Sequence, residues 1–144
     1  WSQVSSDIII SGKILSVDLA KTEKIKNVNF LQCDFLDNES QKKIIDFFGK
    51  KIDVIVSDMA ADTTGNKTLD CIRTNQLCTE VIEFSIKTLK PGGILVSKLF
   101  MGEDFIKVKE LAKSNFQKVH FFKPQSSRNE SKETYLHCAL LKTL

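Results

Sequence analysis

One lysine lies inside an otherwise apolar stretch, Ile94-Leu95-Val96-Ser97-Lys98-Leu99-Phe100. A lone ammonium group is costly to bury, so Lys98 is expected to face a cleft or to pair with an acid. A lysine that loses its proton in such a setting can act as a base. The same pattern also fits a lysine at a strand end whose amine simply reaches water. Lys98 is therefore the first candidate for chemistry, and its partners decide between the two interpretations.

Three other short apolar runs each end in an aspartate, at Asp18, Asp34 and Asp58. Ligands of open α/β sheets bind beyond the carboxyl ends of the strands. A carboxylate there can accept hydrogen bonds from a ribose diol or lie near an adenine edge. A single aspartate at such a position more often caps a helix or begins a turn. Three at matching strand ends make a nucleoside-type cofactor an equally good interpretation.

Two further polar features lie near the C-terminal end of the sequence. Glu133 precedes the last predicted strand and shares a face with Tyr135 and His137, by the period of two. A glutamate there is usually solvated, and it becomes chemically interesting only if it meets Lys98. The segment 123–128, Lys-Pro-Gln-Ser-Ser-Arg, has neither a helical nor a strand period. Its composition suits a polar surface loop, and it also suits a loop that holds phosphate oxygens.

The elements that must position these groups alternate between strands and helices. Predicted helices run from an Asn38–Gln41 capping box to Gly49, over about 71–89, and from Glu103 through Ala112. Several strands are apolar on both faces, which is typical of a covered, mostly parallel sheet. The order predicts a doubly wound α/β fold in one domain. The predicted strands are the runs 14–17, 28–33, 52–57, 94–99 (after a turn at 90–93), 119–122 and 135–141.

Composition excludes several classes of protein. The 144 residues are 42% hydrophobic and 27% charged, as in a folded globular domain and unlike a disordered chain. No apolar run approaches the ~20 residues of a membrane span, and no signal-peptide pattern occurs. The four cysteines form no Cys-x-x-Cys pair, so we expect reduced core cysteines and no metal site. The net charge of +3 permits a polyanionic partner without requiring one.

In this order along the chain, six motifs resemble the FtsJ/RrmJ family of S-adenosylmethionine-dependent ribosomal RNA ribose 2′-O-methyltransferases. Each motif alone is weak to moderate, but their ordered combination is specific, and the resemblance runs nearly end to end. The motifs are Val17-Asp18, Gln32-Cys33-Asp34-Phe35, Ser57-Asp58-Met59-Ala60, Leu89-Lys90-Pro91-Gly92-Gly93, Val96-Ser97-Lys98-Leu99-Phe100, and Lys123-Pro124-Gln125-Ser126-Ser127-Arg128 with Ser131, Glu133 and Tyr135.

The resemblance implies a Rossmann-like class I methyltransferase sheet that is parallel except for its last strand. It implies S-adenosylmethionine as the cofactor. It also implies ribosomal RNA, within a large ribosomal subunit particle, as the partner of a monomeric cytoplasmic protein, and an organellar location stays open. The family's catalytic set is two lysines, an aspartate and a glutamate, of which Lys98, Asp58 and Glu133 match three. The implied cofactor contacts are Trp1, Asp18, Asp34, Phe35 and Asp58, and the implied RNA contacts are Lys123, Ser126 and Arg128.

The implied reaction has a clear physical requirement. A ribose hydroxyl is a poor nucleophile near neutral pH, so the enzyme must align oxygen, methyl carbon and sulfur and help remove a proton. We expect Lys98 to orient and deprotonate the 2′-hydroxyl while Asp58 and Glu133 hold the lysine. Alternatively, a charged Lys98 stabilises the developing oxyanion.

Two departures from the family pattern affect what this chain is expected to do. In the family a first strand, a glycine-rich loop and a first catalytic lysine precede Trp-Ser-Gln, and this chain starts at Trp1-Ser2-Gln3. The first strand would lie between the strands that end at Asp18 and Asp58, so we expect unpaired backbone groups there. The 144 residues alone are expected to bind S-adenosylmethionine weakly or not at all. Ala61-Asp62 also stands where many members have Pro-Asn.

Three other interpretations compete with ribosomal RNA methylation. A methyltransferase of the same fold could act on a messenger RNA cap, a protein or a small molecule, because fold and cofactor do not fix the substrate. A non-catalytic RNA-binding remnant would bind RNA in a salt-sensitive way without binding cofactor. A nicotinamide dehydrogenase has no support, because no Gly-x-Gly-x-x-Gly occurs.

Overall fold

The computed structural model describes residues 1–125 and 131–142. The chain divides into two compact units, Trp1–Lys50 and Lys51–Leu144, and each is described by itself. None of the helices in the described residues is both long enough and apolar enough to cross a membrane. The four cysteines carry free thiols; Cys71, Cys78 and Cys138 are buried.

The first unit contains two helices and a two-stranded parallel sheet. Its elements are α1 (Ser2–Ile8), β1 (Leu15–Asp18), β2 (Asn29–Gln32) and α2 (Asn38–Phe48). The pairing of β1 with β2 ends at Asp18 opposite Gln32, and the Cys33 amide then donates to the Asp18 carbonyl at 3.0 Å. Asp18 is therefore the last residue of β1, and Asp34 lies two residues after the end of β2, so both lie at the carboxyl ends of neighbouring parallel strands.

The predicted capping box of α2 at Asn38 and Gln41 is wrong. The N-cap is Asp37, whose carboxylate accepts from the Ser40 amide at 3.2 Å and from the Ser40 hydroxyl at 3.1 Å. Gln41 instead donates from its side-chain amide to the Phe35 carbonyl at 3.1 Å. An aspartate accepts strongly from an N-terminal amide, so the acid one residue earlier takes the cap. The helix ends at Gly49, which adopts the left-handed conformation of a C-cap (φ 63°).

The second unit is built on a four-stranded mixed sheet. Its elements are β3 (Ile52–Ser57), α3 (Lys67–Thr88), β4 (Leu89–Phe100), α4 (Phe105–Asn115), β5 (Phe116–Phe122) and β6 (Glu133–Leu141), with strand order β3-β4-β6-β5. β3 and β4 are parallel, and β6 is antiparallel to both of its neighbours. The last strand is therefore the antiparallel one, as predicted.

One face of this sheet forms the core of the unit. Leu95, Leu99 and Leu136 point to that face and are fully buried, with α3 and α4 packed against the strands. Because side chains alternate along a strand, Lys98 and Tyr135 point to the opposite face. The sheet thereby separates an apolar core from a face that carries the ionisable groups.

Several element boundaries differ from the sequence predictions, and α1 was not predicted; the starts of α3, α4 and β4 are among the differences. α3 begins at Lys67, four residues early, because the Asn66 side chain accepts from the Thr68 and Leu69 amides at 3.1 and 3.2 Å. α4 begins at Phe105, with Asp104 at its N-cap rather than inside it. β4 begins at Leu89, so that the predicted turn at 90–93 lies within the strand. The register shift of the pairing from Ile52–Leu89 to Val54–Ile94 accommodates those residues.

That shift brings Gly93 close to its neighbours and gives a matched pair of substitutions. A Cβ at Gly93 would lie 2.9 Å from Leu89 Cδ2, 3.0 Å from the Lys90 carbonyl and 3.1 Å from the Asp53 carbonyl. A Cβ at Gly92 would meet nothing within 4 Å. We expect Gly93→Ala to lower the free energy of unfolding by about 1–3 kcal/mol through overpacking. Gly92→Ala is expected to change it by less than about 0.5 kcal/mol. Urea denaturation of both variants tests this, and equal effects would contradict it.

Candidate active site

A lysine and two acids meet at the carboxyl edge of the four-stranded sheet. The Lys98 ammonium lies 3.1 Å from Asp58 Oδ1 and 3.5 Å from Glu133 Oε2. The Lys98 side chain is 13% exposed, whereas the Asp58 and Glu133 side chains are 47% and 32% exposed. The amine is thus the inner member of the cluster, and the carboxylates lie between it and solvent.

The register of three strands brings these side chains together. Ser57 of β3 pairs with Ser97 of β4, so the next residues along the two strands, Asp58 and Lys98, lie side by side. Lys98 pairs with Tyr135 on β6, and Glu133 lies two residues before Tyr135 on the same face. Because β6 is antiparallel, its first residue lies at the edge where the parallel strands end. The cluster therefore depends on the sheet and not on a flexible loop.

A buried asparagine fixes the end of β4 just after Lys98. The Asn75 side chain, only 2% exposed, donates to the Phe100 carbonyl at 3.0 Å and accepts from the Phe100 amide at 2.8 Å. The Met101 amide then donates to the Lys132 carbonyl at 2.9 Å. Sequence reasoning missed Asn75, although a lone amide within the apolar stripe of α3 is a usable signal, because buried amides need partners.

Tyr135 is the second residue that the sequence interpretation left without a role. Its hydroxyl donates to Asp58 Oδ1 at 2.7 Å, and the hydroxyl oxygen of Tyr135 also lies 3.4 Å from Glu133 Oε1. Three causes raise the pKa of Tyr135 well above its ordinary value of 10. Desolvation is the largest, and the hydrogen bond to Asp58 and the negative charge of Asp58 come next. Tyr135 therefore remains a donor and holds the Asp58 carboxylate beside the lysine.

The cluster has a definite capacity for further bonding. Lys98 carries three N–H donors, so it can contact both acids and still direct one donor at another oxygen. Formal charges of one cation and two anions leave the cluster net negative. In the described residues, no group of three or more histidine, cysteine or acidic side chains is arranged to hold a metal ion. The arrangement suits positioning a hydroxyl and handling its proton.

The predicted cofactor residues of the first unit occupy strand ends and helix starts. Asp18 Oδ1 accepts from the Ala20 amide and Asp34 Oδ1 from the Leu36 amide, each at 2.9 Å. Each aspartate thus begins a turn, and its second carboxylate oxygen has no hydrogen bond recorded in the described residues. Trp1 is 53% exposed at the start of α1, and Phe35 is half-buried just before α2.

The predicted RNA contacts lie after β5. Lys123 is exposed, and its ammonium donates to the Ser131 carbonyl at 2.8 Å. Ser126 and Arg128 lie outside the described residues, so their predicted contacts with RNA stay predictions.

A family profile described as FtsJ-like methyltransferase matches residues 1–140, almost the whole chain. The chain belongs to this family. The resemblance predicted from the ordered motifs is therefore confirmed.

Named relatives and a solved structure agree with this assignment. The chain is 45% identical over 142 residues to ribosomal RNA large subunit methyltransferase E of Pelagibacter ubique, covering 99% of this chain and 70% of that protein. It is 43% identical over 142 residues to the Rickettsia akari protein of the same name, covering 94% of this chain and 63% of that one. The chain thus spans roughly two thirds of the length of these relatives.

The crystal structure of a Plasmodium falciparum protein described as a ribosomal RNA methyltransferase superposes with a TM-score of 0.78 at 29% identity. The superposition covers 90% of this chain and 72% of that one. The predicted Rossmann-like class I methyltransferase fold is confirmed.

The contact between Tyr135 and Asp58 can be tested by alkaline titration at 295 nm. Tyr135 is the single tyrosine of the 144 residues, and the difference between wild type and Tyr135→Phe isolates its signal. We expect ionisation well above pH 10, and Asp58→Asn should move it back toward 10 because the nearby negative charge is removed. Glu133→Gln serves as the comparison and should have a smaller effect. Ionisation of the wild type near pH 10 would contradict the contact.

The same raised pKa predicts how stability depends on pH. Because the pKa of Tyr135 is higher in the folded than in the unfolded protein, its neutral hydroxyl stabilises the fold fully below the unfolded-state pKa of about 10. This stabilisation is lost as pH rises above that value. The free energy of unfolding of wild type should therefore fall more steeply above pH 10 than that of Tyr135→Phe.

Proposed function

We propose that the protein transfers a methyl group from S-adenosylmethionine to a ribose 2′-hydroxyl of large-subunit ribosomal RNA. Membership of the FtsJ-like methyltransferase family supports the methyl transfer, and the names of the relatives support the RNA substrate. The observation that carries the choice of a hydroxyl acceptor is the Lys98 ammonium held between Asp58 and Glu133. A lysine or a carboxylate within hydrogen-bond reach of a hydroxyl can orient that hydroxyl and take part in the transfer of its proton.

The residues of the first unit fit the nucleoside part of such a cofactor. Asp18 and Asp34 lie at the carboxyl ends of two adjacent parallel strands and are exposed, and each engages one carboxylate oxygen in a local turn. The second oxygen of each suits a ribose hydroxyl donor. When bound, S-adenosylmethionine supplies an electrophilic methyl group on a sulfonium. Trp1, Phe35 and Asp58 complete the proposed set of cofactor contacts.

In the proposed mechanism, the side of the Lys98 nitrogen that faces neither acid binds the 2′-hydroxyl and fixes its direction of approach. A charged Lys98 directs its third N–H at the oxygen, and a neutral one directs its lone pair at the proton. Bound S-adenosylmethionine would supply the methyl group to that oxygen. The hydroxyl proton would pass to the Lys98 nitrogen where the lysine is the base, or to water where a charged Lys98 stabilises the oxyanion. Asp58 and Glu133 hold Lys98 in place, and Tyr135 holds Asp58 through its hydrogen bond. Tyr135 is a positioning residue because it acts through the carboxylate.

The remaining parts of the proposal concern setting and assembly. We propose a single methyltransferase domain that acts as a monomer in the cytoplasm on a ribosomal particle. Lys123, Ser126 and Arg128 are the proposed contacts to RNA phosphates, because lysine and arginine bind phosphate oxygens.

The function is tested on the complete gene product that contains these residues, with labelled S-adenosylmethionine and either free ribosomal RNA or large-subunit particles. Methylation at a ribose is mapped by local resistance to alkaline hydrolysis, because a methylated 2′-oxygen cannot attack the neighbouring phosphate. Label on a base, a cap or a protein would overturn the proposed acceptor. Salt-sensitive RNA binding without transfer would favour the RNA-binding remnant.

Lys98→Ala is expected to lower the rate of methyl transfer by at least about 100-fold, the lower end for loss of a positioned acid–base group. Lys90→Ala is the matched control, because Lys90 lies on the same strand and pairs with the exposed Asp53. The control should retain near wild-type activity. Equal loss in both variants would contradict a specific role for Lys98.

Lys98→Arg separates the two roles considered for the lysine. Arginine keeps its charge at all accessible pH values. If Lys98 removes the proton, Lys98→Arg is inactive throughout the pH–rate profile. Activity near wild type at every pH would exclude deprotonation by Lys98 and leave the oxyanion role.

A further inference from the structure

Lys98, Tyr135 and the exposed aromatic residue Phe122 form one row of paired residues across the four-stranded sheet. Phe122 pairs with Tyr135, which itself pairs with Lys98, so the row crosses the sheet from β4 through β6 to β5. The Phe122 and Tyr135 rings stack with centroids 5.7 Å apart and planes 22° apart. The Phe122 backbone is held by the Thr134 hydroxyl, which donates to its carbonyl at 2.9 Å.

The two neighbouring phenylalanines of β5 have different surroundings. Phe121 points to the core face and packs against Phe105 of α4, with centroids 4.8 Å apart. Phe122 points to the site face and remains 43% exposed. Single exposed apolar residues are common and need no explanation. This one, however, stacks on the tyrosine that holds Asp58, which makes its position informative.

The same face of β5 carries a lysine and a histidine at alternate positions before the ring. Lys118, His120 and Phe122 follow the period of two, and all three are exposed. Aromatic rings interleaved with cations are the usual means of binding single-stranded nucleic acid, because bases stack on the rings and phosphates contact the cations.

We propose that the ring of Phe122 is a stacking platform for a nucleobase of the RNA strand, with Lys118 contacting a phosphate of the same strand. This inference rests on the proposed function and adds a substrate-binding surface to it. Stacking is tolerant of base identity, since every base has a π face. The platform therefore fixes the position of the strand relative to Lys98 and does not select the target sequence.

The test compares Phe122→Ala and Phe122→Trp with Ile106→Ala, which removes a 62% exposed apolar side chain from α4. Affinity for a fluorescein-labelled single-stranded RNA is measured by anisotropy with the complete gene product. Phe122→Ala should weaken binding about 5- to 100-fold, as loss of one stacked base does. Phe122→Trp should bind within about twofold of wild type, and Ile106→Ala should be unchanged. The KM for S-adenosylmethionine should not move in any variant.

The dependence of RNA affinity on salt concentration distinguishes the contribution of the Phe122 ring from that of the Lys118 ammonium. Lys118→Ala should reduce the slope of log Kd against log salt concentration by about one phosphate contact, whereas Phe122→Ala should leave the slope unchanged. If Phe122→Ala binds RNA as tightly as wild type, the stacking platform is overturned. Methyl transfer by that variant would still support the proposed function. A folded Phe122→Trp that binds as weakly as Phe122→Ala would also overturn the stacking platform. A wild-type protein that neither binds nor methylates RNA would contradict both proposals.

Discussion

The ion pairs of Lys98 are the interaction on which the candidate site depends. The amine is largely removed from water, and such a group is stable in the folded protein only when acids compensate for its lost hydration. Each acid comes from a different neighbouring strand, so the cluster links β3, β4 and β6 by charge as well as by backbone hydrogen bonds. Because both carboxylates are partly exposed, the pairs contribute less to stability than fully buried ones would. Their main effect is to fix where the ammonium points.

The antiparallel direction of β6 is what makes this arrangement available. Parallel strands present only their last residues at the carboxyl edge, where ligands of α/β sheets bind. An antiparallel strand presents its first residues at that edge, and here those residues are Glu133 and Tyr135. A parallel β6 would place the same two side chains at the opposite end of the sheet. One reversed strand thus adds an acid and a phenol to the aspartate and lysine.

The sequence was sufficient to predict every element except α1, and the meeting of Lys98 with Asp58 and Glu133, for a physical reason. A lysine within an apolar strand and an acid at a strand end violate the local hydrophobic pattern, and such violations mark functional positions. Asn75 and Tyr135 were missed because their roles come from the strand register, and Tyr135 lies 77 positions from Asp58 in the sequence. A tyrosine, with a polar hydroxyl on an apolar ring, is also an ordinary strand residue and gives no sign of a special role. The Asp37 cap was missed because Asn38 offers equally good local chemistry one residue later. The proposed roles of Asp18, Asp34, Lys123, Ser126 and Arg128 stay predictions.

The charge of the cluster constrains how a polyanion can reach it. One cation with two carboxylates does not attract phosphates, so the residues proposed to hold a reacting hydroxyl are poorly suited to binding the rest of an RNA strand. Binding must then come from neighbouring surface that adds affinity without disturbing the ion pairs. An uncharged ring stacked on Tyr135 meets this condition, because base stacking does not depend on charge. Lys118, placed further along β5, can contact a phosphate while remaining separate from Asp58 and Glu133. The proposed division between an anionic candidate site and a neighbouring strand that carries an aromatic ring and a lysine follows from the incompatible demands of holding an ammonium and holding a polyanion.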